Sequence, residues 1–368
     1  MLLTRSVQSY AVVQHLKSCV VGAPVLKRKL SSNFDQNAGK SNQKYDIIIA
    51  GGGMVGCTLA CALGKKPIFS NLKILLLEGS PNIEFNVNKP EYSNRVVALN
   101  PSTRSLMEAI DAWQHIENVR VQPVRHMQVW DASSDGLITF SSSDIDGDVA
   151  YIIENDLVLH SVKKELDKAQ NVEIVYQSKI NGYDLAKDET NNLNIVKMSN
   201  GDTYCCDLLI GADGAKSKVR EAMGVQYISF DYDQMGIVST LQLADGSENT
   251  TAWQRFLPTG PIALLPLNST CSSLVWSTNV EDAKRLLALS DESFVDALND
   301  ALWKQYPSPP GVETASRVLC GWLRRLGLPD GAERQLPPSV RGAGARAAFP
   351  LGFGHSTRYV ARGTALVG

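Results

Sequence analysis

The stretch Tyr45-Asp46-Ile47-Ile48-Ile49-Ala50-Gly51-Gly52-Gly53-Met54-Val55-Gly56 reads as an apolar strand, a glycine turn and the first turn of a helix. Consecutive β-branched apolar residues suit a strand buried on both faces, the condition of a parallel sheet. The helix pattern runs through Leu63, and Leu72-Lys73-Ile74-Leu75-Leu76-Leu77 follows as a second buried strand ending at Glu78. Strand, helix and strand in that order predict a doubly wound, Rossmann-like α/β sheet. Around a bound dinucleotide, Gly51 would make the tight turn, Gly53 would let backbone approach the pyrophosphate, and Gly56 would let helix pack on strand. The helix N-terminus would offer free N–H groups to the phosphates, and Glu78 would accept from ribose hydroxyls.

Far downstream, Asp207-Leu208-Leu209-Ile210-Gly211-Ala212-Asp213-Gly214-Ala215-Lys216-Ser217-Lys218-Val219-Arg220 repeats the scheme of strand, tight turn and helix start. Asp213 can close the turn, Gly214 can take a backbone conformation that a side chain would forbid, and Ser217 and Arg220 sit on the helix start. The first glycine turn alone fits a nicotinamide dehydrogenase and a flavoprotein equally. On these residues both readings stay open.

The 368 residues, 44% apolar and 20% charged, are enough for two ordinary domains with a sizeable core. A net charge of -2 and the lack of a basic, aromatic-interleaved stripe argue against a nucleic-acid partner. Seven cysteines, an odd number without paired metal-ligand spacing, indicate neither a disulfide framework nor a metal site. Cys57 and Cys61, one helical turn apart, read as small residues packed against the sheet. Residues 1–34 carry Arg5, Lys17, Lys27, Arg28 and Lys29 and no acid, the composition of a mitochondrial transit peptide cleaved near Ser31. No apolar run reaches the roughly 18 to 20 residues of a spanning helix, so membrane contact is expected to be peripheral.

The expected organisation interleaves two domains. After the transit peptide come a first cofactor-domain part (44–125), substrate-domain strands (126–150), a second cofactor-domain part (151–224) and the substrate domain (225–345). Residues 346–368 begin the final cofactor-domain segment. Strands are expected at 126–131, 137–140, 172–177, 234–243, 251–256, 262–267 and 273–277, the last four forming an antiparallel sheet in an α+β substrate domain. Helices are expected at 101–110, at 156–168 and, as one piece, at 281–303.

The pattern D-G-x-x-S-x-x-R in Asp213, Gly214, Ser217 and Arg220 resembles the fingerprint of the FAD-binding aromatic hydroxylases typified by para-hydroxybenzoate hydroxylase. Arg95-Val96-Val97-Ala98-Leu99-Asn100-Pro101-Ser102, Tyr151-Ile152-Ile153-Glu154-Asn155, and Phe349-Pro350-Leu351 with His355 and Tyr359 narrow the resemblance to the ubiquinone (coenzyme Q) biosynthesis hydroxylases, above all their mitochondrial branch. It covers roughly residues 45–307 and 334–368. The resemblance implies FAD as cofactor and insertion of one oxygen atom from O2 into a polyprenylated phenol or hydroxybenzoate through a flavin hydroperoxide. It further implies electrons from NADPH or a ferredoxin system, contact with other ubiquinone-biosynthesis enzymes, and a place on the matrix side of the inner membrane. By the same resemblance Asp213, Gly214, Ser217 and Arg220 would bind the cofactor, the Asp-Gly turn supporting its pyrophosphate region, Arg95 would neutralise flavin phosphate or contact the ring, and Asn155 would hydrogen-bond the cofactor. Read without the family, Arg95 is equally a solvated surface residue and Asn155 a cap for the helix beginning at Asp156. No catalytic residue is assigned, His355 included.

In the family, an aspartate and a helix follow the glycine that Gly368 matches. Their absence leads to the expectation that this chain retains FAD weakly or not at all. It also keeps open a catalytically inactive, shortened form acting as a binding or scaffold protein. A related epoxidase or prenyl-lipid reductase is a further alternative.

Overall fold

The computed structural model describes residues 42–145, 147–188, 192–244, 248–307 and 335–368. The transit-peptide reading of residues 1–34 lies outside them. Strand Asn42–Ala50 pairs in parallel with Ile74–Leu77 on one side and with Thr203–Gly211 on the other. Val172–Val175 extends the first side and Thr364–Leu366 the second, both in parallel. Alternation explains the unbroken apolar runs. Ile47, Ile49, Ile74 and Leu76 enter a core shared with helices Met54–Lys65 and Asn155–Leu166, while Ile48, Ala50, Leu75 and Leu77 enter a second core with Val196, Cys206 and Val219. Each fully buried isoleucine or leucine among them contributes about 1.5 to 3 kcal/mol by leaving water. Two strands that the sequence pattern does not announce, Ile180–Asp184 and Asn194–Met198, add an antiparallel flap onto the start of Thr203–Gly211.

A second sheet is ordered Val340–Ala343, Tyr227–Leu243, Cys271–Asn279, Gly260–Pro266, Thr251–Leu257, His126–Asp131 and Leu137–Ser141, with Ala347–Ser356 also paired to Tyr227–Leu243. It is antiparallel except where Thr251–Leu257 runs parallel to His126–Asp131. One face carries Trp130, Ile262, Trp276 and Ile237 onto helices Val280–Ala288 and Asp291–Trp303 through Leu286, Phe294 and Leu298. Arg255, only 1% exposed, crosses that core and donates from Nη1 to the Ala301 carbonyl at 2.9 Å and from Nη2 to the Lys304 carbonyl at 2.6 Å. Its charge thus meets the carbonyl end of the second helix, where a cation is favoured.

The expected single helix over 281–303 is two helices. Apolar spacing continues across the junction, but Leu289 is extended and Ser290 caps the second helix by accepting from the Ser293 N–H. A hydroxyl that can bond the backbone locally competes with helix continuation.

A small sheet of Val96–Leu99, Ala150–Glu154 and Gln122–Val124 joins the two large ones. Its central strand faces both ways: Tyr151 and Ile153 enter the core of the parallel sheet, whereas Ala150 and Ile152 pack with Ala252 of the second sheet and Leu267 just beyond one of its strands. Among the described residues no helix is long and apolar enough to cross a membrane.

Candidate cofactor site

The three parallel strands Asn42–Ala50, Thr203–Gly211 and Thr364–Leu366 end together, and the turns that follow them touch. Ala212 N–H donates to the Ala50 carbonyl at 2.8 Å, and Val367 N–H donates to the Gly211 carbonyl at 2.9 Å. Gly51 has φ 109°, and a β-carbon there would fall 2.4 Å from the Ala212 carbonyl oxygen. Two backbones therefore meet at a position that only glycine fits.

The first turn opens outward. Gly53 caps helix Met54–Lys65 without any side-chain bond, and a β-carbon on it would meet nothing within 4 Å. No side chain caps the first amides of this 12-residue helix, which lie at the positive end of its dipole. Gly56 is the packing glycine: its β-carbon would lie 1.9 Å from the Gly51 carbonyl oxygen. Glu78 follows the neighbouring strand and accepts from Gly52 N–H and Ser80 N–H, each at 2.6 Å. Each carboxylate oxygen keeps a second lone pair for a hydroxyl donor. Cys57 donates from Sγ to the Gly52 carbonyl, and burial pushes its thiol up to about 12, so it serves packing.

The second turn is closed by its own side chains. Asp213 Oδ2 accepts from Lys218 N–H at 2.8 Å and Val219 N–H at 3.3 Å. Ser217 caps the short helix Lys218–Ala222 by accepting from Arg220 N–H at 3.0 Å. Arg220 donates to the Ala215 carbonyl at 2.8 Å and stacks 3.7 Å above the Tyr227 ring. Gly214 has φ 77°, the conformation anticipated for it. One acceptor remains: Asp213 Oδ1 is buried with no hydrogen-bond partner.

Asn155 and Arg95 meet each other through backbone, the Asn155 N–H donating to the Arg95 carbonyl at 2.9 Å. The cap reading of Asn155 is corrected. Helix Asn155–Leu166 begins at Asn155 itself, Glu154 holds the cap position, and Asn155 Oδ1 is buried without a partner. Arg95 is exposed, and among the described residues no hydrogen bond engages its guanidinium. The helix starting at Asn155 lies beside the one starting at Met54, since Cys57, Ala60, Leu157 and Val158 share a core. Their last turns are joined by Lys65 and Glu165 at 2.5 Å. Two helices of 12 residues each, joined at their C-terminal ends, bring their N-termini to the same end of the sheet. Asn155 therefore belongs with the glycine turn. The sequence pattern carries no sign of Arg120, which pairs with Glu154 at this corner. A carboxylate ending the apolar strand Ala150–Glu154 was the one available hint.

An open amide cradle, a carboxylate beside it and two buried oxygens awaiting donors suit a ligand with phosphates, ribose hydroxyls and ring N–H groups, and FAD has all three. The FAD binding domain family matches residues 44–309. The mitochondrial ubiquinone biosynthesis monooxygenase COQ6 of Drosophila melanogaster is 46% identical over 355 residues, covering 94% of this chain and 73% of the relative. Its counterpart in Danio rerio is 42% identical over 381 aligned residues, covering 100% of this chain and 79% of the relative. A crystal structure of pqsL, a probable FAD-dependent monooxygenase from Pseudomonas aeruginosa, is similar in fold with a TM-score of 0.64 at 19% identity, covering 89% of this chain and 78% of that one. With a family match over most of its length and relatives at 42% and 46% identity, the chain belongs to the FAD-dependent ubiquinone biosynthesis monooxygenases.

Proposed function

We propose that this FAD-dependent monooxygenase inserts one oxygen atom from O2 into the ring of a polyprenylated phenol or hydroxybenzoate. The observation that carries the reading is the meeting of an open glycine cradle with the buried, unpartnered oxygens of Asp213 and Asn155. FAD, when bound, supplies the oxygen chemistry, and the chain supplies binding, orientation and exclusion of water. The amides following Gly53 receive the pyrophosphate, Glu78 takes ribose hydroxyls, and Asn155 and Asp213 accept from the cofactor's polar groups. Arg95 brings a rigid multi-donor cation to the same corner.

A polyprenyl tail needs an apolar path, and the second sheet supports one on the face away from its helices. Cross-strand pairing puts Val129, Gln254, Ala263, Val275 and Val238 in a single row there. Phe349, paired with Gly236 and 46% exposed, stands on the same face. The chain is read as mitochondrial, in line with the naming of its relatives. Within that compartment we assign it to the matrix side of the inner membrane as a peripheral protein working with other ubiquinone-biosynthesis enzymes, its electrons arriving from NADPH or a ferredoxin system.

The test supplies the purified chain with FAD, a short-tailed prenyl hydroxybenzoate, isotopically heavy O2, and either NADPH or ferredoxin with its reductase. Mass spectrometry should find one labelled oxygen on the ring with one of the two donors. Bound FAD without labelled product from either donor would overturn the catalytic reading in favour of a scaffold role.

A further inference from the structure

Glu154 is 2% exposed, and a carboxylate removed from water is costly unless its oxygens are fully bonded. Arg120 answers it with a fork: Nε donates to Oε2 at 2.6 Å and Nη2 to Oε1 at 2.9 Å. Ser93 N–H adds a third bond to Oε1 at 2.6 Å. The guanidinium is then consumed by backbone, with Nη1 donating to the Lys89 carbonyl at 2.8 Å and Nη2 to the Glu91 carbonyl at 3.1 Å. It also stacks 4.3 Å from the centre of the Tyr92 ring, whose hydroxyl donates at 3.1 Å to the carbonyl of Leu267, just past strand Gly260–Pro266 of the second sheet. One buried ion pair thus holds residues 89–93 against the end of strand Ala150–Glu154.

The residues next in the chain after each held segment give the pair its meaning. Two residues after Ser93 comes Arg95, and directly after Glu154 comes Asn155, the two joined by the backbone bond already described. With Nη1 also reaching the Pro90 carbonyl at 3.5 Å, every Arg120 donor is engaged, so its effect on a ligand must pass through its neighbours. We propose that Arg120 and Glu154 are a positioning pair that sets the Arg95 guanidinium and the Asn155 carboxamide for the cofactor. The helix itself contains the contrast: Glu165, in its last turn, is also buried but bonds Lys65, His115 and Lys168, and so ties helices to one another.

The proposal rests on the site being an FAD site, and the test separates the two. FAD is titrated by fluorescence into the full chain, Arg120→Lys, Glu154→Gln, Arg95→Ala, the Arg120→Lys/Arg95→Ala double variant and Glu165→Gln, with Tm recorded for each. Losing the fork should raise the Kd for FAD about tenfold in Arg120→Lys, the scale of one charge-assisted bond lost or misplaced. In the Arg95→Ala background the same change should add less than about threefold, because groups acting as a unit are not additive. Glu165→Gln should lower Tm and leave the Kd unchanged. Glu154→Gln keeps volume and an acceptor, so it gives the same reading if the arginine variant folds poorly. Full additivity with Arg95→Ala, or an unchanged Kd in both Arg120→Lys and Glu154→Gln, overturns the positioning role. Failure of the unaltered chain to bind FAD overturns the site reading itself, and the positioning proposal with it.

Discussion

At the end of strand Asn42–Ala50 the chain turns through three glycines and starts a 12-residue helix whose cap makes no side-chain bond. At the end of the adjacent strand Thr203–Gly211 it turns through Asp213 and Gly214 and starts a five-residue helix whose first amides are already taken by Asp213 and Ser217. Both turns fit a motif, yet they divide the work. Unclaimed amides at the end of a long dipole can hold an anion, whereas claimed amides hold only the turn. The second turn thus supports the first, and its remaining overture to a ligand is the single oxygen Asp213 Oδ1.

Alanine at two glycines of the first turn gives the largest test of that division. Gly56→Ala places a β-carbon 1.9 Å from a backbone oxygen that cannot swing aside, and the expected loss exceeds about 3 kcal/mol, at the upper end of overpacking costs. Gly53→Ala meets open space at φ -72°, so its stability should stay within about 1 kcal/mol while FAD affinity falls. Urea midpoints and FAD titrations measure both. If Gly53→Ala unfolded as readily as Gly56→Ala, the cradle would be packed and the contrast between the turns would fail.

The next effect concerns how the long helix is anchored at its far end, an anchor the short one lacks. Burial pushes the Glu165 carboxyl up, but bonds from Lys168, Lys65 and His115 outweigh it and hold it at about 2, against an ordinary value of 4.5. A depressed folded-state value means the stabilisation is complete above pH 4.5 and is lost as pH falls from there toward 2. The shift corresponds to about 3 kcal/mol. Glu165→Gln should therefore be less stable at neutral pH and show a flatter acid limb in unfolding experiments. An acid limb that stays as steep in the variant would assign the loss to other carboxylates.

These examples also show where sequence is legible. The parallel strands announce themselves because burial on both faces leaves no polar position in Ile47-Ile48-Ile49-Ala50 or Ile74-Leu75-Leu76-Leu77. Glycine turns are legible because steric demands act between near neighbours. The small sheet is not, since Val96–Leu99 is four residues long and finds Ala150–Glu154 far along the chain. Strands Ile180–Asp184 and Asn194–Met198, carrying Asn, Gly, Asp and Lys, look like loops until Thr203–Gly211 offers them an edge. Arg120 and Glu154 stand 34 residues apart, and no spacing rule connects them. Asn155 was visible as a polar residue at a strand end, but only the structure shows that its oxygen is buried and idle instead of capping the helix.

A smaller effect separates the claimed amides of the second turn from its unclaimed oxygen. Ser217→Ala removes the cap of helix Lys218–Ala222 and should cost about 1 kcal/mol in urea unfolding, with FAD affinity unchanged. Asp213→Ala removes both the turn-closing bonds and Oδ1, and so should lower stability and FAD affinity together. A drop in affinity for Ser217→Ala as large as that for Asp213→Ala would mean that the second turn meets the ligand directly along its length.

The smallest effect belongs to Arg220, the motif residue whose charge most invites a phosphate. Its guanidinium already donates to Ala215 and sits 3.7 Å from the centre of the Tyr227 ring, and moving it onto a ligand would forfeit both contacts. A partly exposed cation–π contact is worth about 0.5 to 1 kcal/mol, and lysine keeps the charge while losing the planar stack. Arg220→Lys should therefore lose no more than about that much stability and leave FAD affinity where it was. A fall in affinity larger than the fall in stability would show that Arg220 leaves Tyr227 for the cofactor, and the second turn would then be a grip in its own right.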